Sequence, residues 1–183
     1  MNDQSLENAL LHLAGVSTEV MLRTIVAEDV TPEYVSWMND EEVTRYTEIV
    51  HETQRHEEVL DFVETKFKSK NEVLFGIFIK SLHIGNIKLG PVNWRHKTSE
   101  ISFIIGNKAY WGKGYAASAI GIVASYAFDD LGLAKITAGV LTPNVGSARA
   151  LEKSGFSIEG VRKQQYELGG KRVDSLIFGR LAS

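Results

Sequence analysis

Seven residues, Tyr110-Trp111-Gly112-Lys113-Gly114-Tyr115-Ala116, set two glycines around a lysine and run directly into small and apolar residues. Glycine frees the backbone to bend tightly and leaves its amides uncovered. Bare amides where a helix begins, aided by the helix dipole, make a seat for an anion. Three anion-binding patterns compete for this turn. A G-x-x-x-x-G-K-[ST] phosphate loop is excluded, because Gly114 follows Lys113 and Asn107 stands where the first glycine belongs. Gly112, Gly114 and Ala117 satisfy G-x-G-x-x-[GA], the dinucleotide fingerprint. That site also needs a repeated βαβ array and an acid closing the next strand, and the next strand-like run closes on Val140-Leu141. The third pattern depends on the rest of the chain.

Other reactive residue types narrow the chemistry. There is no cysteine, hence no disulfide framework, thiolate metal site or thiol nucleophile. Ser147 lies in Asn-Val-Gly-Ser without the G-x-S-x-G elbow of a serine hydrolase. The histidines 12, 51, 56, 83 and 96 form no H-x-x-x-H or other tight ligand pair, so no metal is expected. His51 and His56 precede an early helix and either line a pocket or sit on the surface.

These residues must be positioned by the elements around them. Glu19 to Asp29 reads as a first strand, followed by a helix start at Thr31-Pro32. Residues 32 to 46 read as one or two short helices broken near Asn39-Asp40. Val59, Phe62, Val63 and Phe67 recur at helical spacing. Three closely spaced strand-like runs follow, Val73 to Lys80, His83 to Asn93 and Ser99 to Gly106, which suits antiparallel hairpins. Tyr115 to Leu131 reads as one helix and Ala134 to Leu141 as a buried strand. Asn144 to Ser154 reads as a helix stopped by Gly155, and the remainder as two strands around Gly169-Gly170. This order predicts a mixed α+β domain over residues 21–183. Residues 1–20 are expected to form an extension, either a short docked helix or a tail.

The chain has 183 residues, 44% apolar and 23% charged, with a net charge of -3 and acids and bases interleaved. Such a balance suits one soluble domain and argues against nucleic acid as the main partner. No apolar run approaches the roughly 20 residues that span a bilayer. Asp3 and Glu7 precede the apolar stretch near the start, unlike a signal peptide. These features point to a cytoplasmic protein with no membrane partner; exposed strand edges leave room for a homodimer.

The third pattern covers the most sequence. Trp111 to Ala116, then Asn144 and Ser147, then Glu152-Lys153-Ser154-Gly155-Phe156, with Gly160, Arg162, Gly170 and Asp174 downstream, resemble the GNAT superfamily of acyl-CoA-dependent N-acetyltransferases. The similarity is strongest to its RimJ/RimL-like branch and runs from about Met21 to Leu181. Many relatives carry Thr-Glu after Gly-Tyr-Ala, where this chain has Ala117-Ser118.

The resemblance implies a GNAT fold, a mixed, mostly antiparallel sheet flanked by helices, splayed beside residues 100 to 105. It implies acetyl-CoA as cosubstrate, held by Ile104, Trp111, Gly112, Lys113, Gly114, Tyr115, Ala116, Asn144 and Ser147. It implies transfer of an acetyl group to a primary amine by direct attack. The acceptor would be a protein N-terminus or a small amine such as an amino sugar or polyamine, read by Trp37, Tyr46 and Glu48. Glu100 is the candidate base, since an alkyl ammonium of pKa about 10.4 must lose a proton before attack; the alternative is a solvated carboxylate at a strand end. Asn144 could bond the pantetheine arm or simply cap its helix, and Ser147 could meet the departing sulfur. A CoA-binding sensor or interaction module without catalysis is the alternative on the same fold.

Overall fold

The computed structural model describes residues 5–15 and 19–182. The strands are β1 (His12–Ala14), β2 (Val20–Thr24), β3 (Val73–Ile79), β4 (Leu82–Leu89), β5 (Thr98–Ile105), β6 (Lys135–Leu141), β7 (Ser157–Leu168) and β8 (Lys171–Leu181). The α-helices are α1 (Pro32–Met38), α2 (Glu41–Thr44), α3 (His56–Phe67), α4 (Tyr115–Ser125) and α5 (Val145–Lys153). Among the described residues the strands form one sheet in the order β1-β2-β3-β4-β5-β6-β8-β7. Every neighbouring pair is antiparallel except β5 and β6. The expected α+β architecture is therefore present.

Alternation along the strands separates two cores. One face of the sheet packs against α4 and α5, with Phe75, Ile77, Ile87, Ile101, Ile136, Ala138, Val140 and Phe178 meeting Ile120, Val123 and Leu151. The other face packs against α1 to α3, through Ile25 and Leu74 against Tyr34, Trp37, Val59 and Val63. Helix starts follow local chemistry: Thr31 Oγ1 caps α1 by accepting from Tyr34 N at 3.2 Å, and Asp40 Oδ1 caps α2 by accepting from Glu42 N at 3.0 Å. The break near Asn39-Asp40 is thus the second cap. Gly155, at φ 82°, closes α5, and Phe156 N donates back to Leu151 O at 3.1 Å.

Two elements depart from expectation. The described part of the N-terminal extension is neither helix nor tail. His12 to Ala14 pair with Arg23 to Met21 at the sheet edge. Thr24 Oγ1 donates to Ala9 O at 2.9 Å and accepts from Leu11 N at 3.0 Å. Leu6 is buried, so a backbone ladder and one apolar anchor hold this segment. Residues 1–4 and 16–18 of that expectation lie outside the described residues. The helix expected to run to Leu131 is α-helical only to Ser125 and continues as a π-turn over Tyr126–Asp130, with Leu131 N donating to Tyr126 O at 3.1 Å. Tyr126 there packs edge-on against Phe75, centroids 6.0 Å apart. Gly132, at φ 64°, then turns the chain toward β6.

Candidate active site

The parallel pair β5–β6 is short. Thr98, Ser99 and Glu100 pair with Lys135, Ile136 and Thr137, and beyond Glu100–Thr137 the strands part. The carbonyl of Glu100 accepts from Gly90 N at 2.8 Å, and Gly106 N donates to Ile84 O at 2.9 Å, both toward β4. Backbone groups alternate along a strand, so those of the odd-numbered residues turn the other way. The N–H groups of Phe103 and Ile105 therefore face the gap. A cavity of about 1070 Å³ occupies this gap, lined by residues 100 to 105 on one side and 137 to 141 on the other.

On the α4 side, the gap opens onto the glycine turn. Gly112 and Gly114 adopt φ 72° and 85°, the left-handed region that favours glycine. A Cβ on either would meet nothing within 4 Å; the need for glycine is conformational, and the space above the turn is open. Ser118 N donates to Gly114 O at 3.1 Å as the first bond of α4. The N–H groups from Gly112 to Ala117 have no acceptor among the described residues. This row of amides at a helix start is an anion cradle. Trp111 secures it, its Nε1 donating to Ile105 O at 2.7 Å. Lys108 ties the preceding loop to the acids of α2, reaching Asp40 at 2.7 Å and Glu42 at 2.6 Å. Its ammonium, hydrogen-bonded to Asp40, holds that carboxyl below the usual carboxylate range.

Asn144 is the N-cap of α5, its Oδ1 accepting from Ser147 N at 3.2 Å, and both residues line the cavity. The Nδ2 of Asn144 and the hydroxyl of Ser147 have no partner among the described residues, so the capping role leaves their donors to a ligand. The glycine turn and the start of α5 thus converge on the gap from one face.

The opposite face carries a second compartment. Ile101, Ala138 and Val140 belong to the α4-side core, so Glu100 and Ser102 of β5 and Thr137 and Gly139 of β6 point the other way. Ile177 and Ser175 of β8 and Arg162 and Tyr166 of β7 extend this lining, and Arg45, Tyr46, Thr47 and Glu48 cover it from the end of α2. Tyr46 spans the mouth, its hydroxyl donating to Pro143 O at 3.2 Å. Glu100 is exposed, and its carboxylate carries no ion pair or hydrogen bond among the described residues. It stands at the vertex where the two compartments meet.

Most expected site residues converge here: Glu100, Ile104, Trp111, Gly112, Gly114, Tyr115, Ala116, Asn144, Ser147, Tyr46 and Glu48 all line the cavity. Three differ in detail. Trp37 is 6% exposed and packs against Tyr34 and His83 at centroid distances of 5.9 and 5.0 Å. A Cβ on Gly106 would sit 2.2 Å from its ring, so Trp37 is core and does not reach the cavity. The Lys113 side chain folds back over Tyr110, with Nζ 5.2 Å from the ring centroid, and lies outside the cavity lining. Ile104 contributes its side chain alone, because its backbone is committed to β4. His56 bonds Val30 O at 3.1 Å, away from the cavity; the side chain of His51 lies outside the described residues. Sequence reasoning did not single out Arg45, Thr137, Arg149, Lys153, Tyr166, Ser175 or Ile177 for the site. Alternation could have placed Thr137 on the face of Glu100, but nothing local joins β7 and β8 to the gap.

Comparison with known proteins agrees with this geometry. The family described as acetyltransferase (GNAT) domain matches residues 19–157. An uncharacterized N-acetyltransferase, YoaA of Bacillus subtilis (strain 168), is 31% identical over 164 residues, covering 87% of this chain and 91% of that protein. A crystal structure of spermidine N-acetyltransferase from Vibrio cholerae, in complex with CoA and spermine, superposes with TM-score 0.80 at 23% identity, covering 90% of this chain and 96% of the other. RimL, a ribosomal L7/L12 α-N-protein acetyltransferase in complex with CoA, superposes with TM-score 0.83 at 16% identity, covering 92% and 97%. A parted strand pair, a glycine cradle and a family match across most of the domain agree: the chain belongs to the GNAT acetyltransferase family.

Proposed function

We propose that the protein moves an acetyl group from acetyl-CoA to a primary amine by direct attack in a ternary complex, with the two compartments holding the two substrates. The observation that carries this reading is the parting of β5 and β6 beside a row of unpaired amides. Acetyl-CoA supplies an acetyl group already activated as a thioester. The unpaired N–H groups of Gly112 to Ala117 suit its pyrophosphate, and the open space over Gly112 and Gly114 admits it. The side-chain amide of Asn144 is free to bond the pantetheine arm. At the gap, the N–H of Phe103 can polarise the acetyl carbonyl, and the Ser147 hydroxyl can donate to the departing sulfur.

Glu100 takes a proton from the acceptor ammonium, directly or through water. Its position on the acceptor face, next to the gap and unpaired, supports this role. Tyr46 and Glu48 bound the acceptor's entry. The acceptor is the amine of a protein N-terminus, as in a RimJ/RimL-like enzyme, or of a small molecule; likenesses to RimL and to spermidine acetyltransferase support the two options alike.

The test is an acceptor screen with the purified chain, following free CoA. Release of CoA that depends on an amine, with an acetylated product and a strong loss in Glu100→Gln, is the expected result. Tight CoA binding with no acetylated product from any amine would favour a CoA-binding module instead.

A further inference from the structure

We propose that the acceptor is an amine that also bears an anionic group, a carboxylate or a phosphate, which Arg45 and Arg162 receive while the nitrogen faces Glu100. This inference rests on the acetyl-transfer reading and narrows its substrate. Both guanidiniums line the acceptor side of the cavity. Neither has a carboxylate partner among the described residues; Arg45 only lies over the Tyr46 ring, 4.8 Å from its centroid. The neighbouring cations are treated differently. Lys163 pairs with Asp174 at 2.8 Å, and Lys108 with Asp40 and Glu42.

Local structure aims Arg162 at the cavity. Between Arg162 and Tyr166 the register of β7 against β8 shifts, with Gln164 at φ 49°. Asp174 holds this bulge by accepting from Gln164 N and Lys163 Nζ, each at 2.8 Å. Arg162 pairs with Ser175 just before this bulge and so shares the cavity-facing side of Ser175; beyond the bulge, Tyr166 reaches the same cavity. Tyr46, fixed to Pro143, in turn seats Arg45 on its ring.

The charges on this face are therefore mixed. Glu100 and Glu48 suit an ammonium, whereas Glu42 is already paired with Lys108. Two unneutralised guanidiniums would repel a polycation and suit a planar or tetrahedral oxyanion, to which arginine binds in bidentate fashion. A molecule with one amine and one anion satisfies both sets, and a polyamine satisfies only the acids.

The experiment compares matched amine pairs by kcat/KM with the full chain and acetyl-CoA. The phosphate pairs are ethanolamine against phosphoethanolamine and glucosamine against glucosamine 6-phosphate. The carboxylate pairs are propylamine against β-alanine, and a short peptide with Asn against the same peptide with Asp; spermidine completes the panel. The anionic member of at least one pair is expected to lead by about tenfold or more, chiefly through KM, and the leading pair identifies the anion. Arg162→Ala should cut that preference to less than about threefold, and Arg162→Lys should keep more of it. CoA titration by calorimetry reports that the variants are folded. Preference for spermidine or for the uncharged members, or a preference untouched by Arg162→Ala, overturns this inference and leaves acetyl transfer standing. Tight CoA binding with no turnover of any amine overturns both.

Discussion

Glu100 and Ser147 lie beside the same gap on different elements, and among the described residues neither carries a side-chain hydrogen bond that would compete with substrate. If Glu100 removes the amine proton, Glu100→Gln lowers kcat by about 100-fold. The loss grows as pH falls, since a larger share of the acceptor is then ammonium; a pH–rate profile from 6 to 9.5 checks it. Gly114→Val forces a β-branched residue to φ 85° and places its side chain over the amide cradle. The expected result is at least a tenfold weaker CoA affinity by calorimetry. Asn144→Ala removes the cap of α5, costing about 1 kcal/mol of stability, a fall in Tm of roughly 2–4 °C for a domain of this size.

At the scale of elements, the gap depends on β5 and β6 being paired for only three residues. The glycine turn is fastened to the loose end of β5 by the bond from Trp111 Nε1 to Ile105 O. Trp111→Phe deletes this donor while keeping an aromatic surface. A neutral hydrogen bond contributes about 0.5–1.5 kcal/mol, so KM for acetyl-CoA should rise roughly 2- to 10-fold with kcat little altered. Steady-state kinetics at saturating amine measures it. An unchanged KM would show that Lys108 and the 3₁₀ turn over Lys108–Tyr110 hold the loop without Trp111.

At the scale of the whole molecule, two groups on the face opposite α4 link stability to pH. Glu72 sits between the ammoniums of Lys66 and Lys88, with Lys88 at 2.6 Å. Burial opposes its charge, but the two lysines outweigh that and hold its carboxyl below the usual range. Its contribution is therefore complete above the unfolded carboxylate pKa and is lost as pH falls through the lower folded one. His83 is enclosed by Phe78, Trp37 and Tyr34, and burial lowers its pKa from 6.5. The unfolded chain takes up that proton first, so stability begins to fall as pH drops below about 6.5. Urea midpoints should decline from pH 7 to 5 and more steeply below 4.5. His83→Gln should flatten the upper part of that decline, and Glu72→Gln the lower part.

The sequence by itself determined the features that depend on neighbours along the chain. The glycine turn, the caps at Thr31 and Asn144 and the Gly155 stop are local backbone chemistry, and the alternation in β5 is a local periodicity. Together they sufficed for the α+β order and for most of the residues on the α4 side of the site. Only the tertiary structure decided what stands over each face. Trp37 reads as core or as a ligand platform until Gly106 is seen beneath its ring. Arg45 and Arg162 are separated by more than a hundred residues and line one cavity because the sheet order β5-β6-β8-β7 carries β7 to the side that the end of α2 covers. The N-terminal segment became a strand because Thr24 and the edge of β2 offered it hydrogen bonds. Side-chain period fixes which way a residue points, and chain topology alone fixes what it meets there.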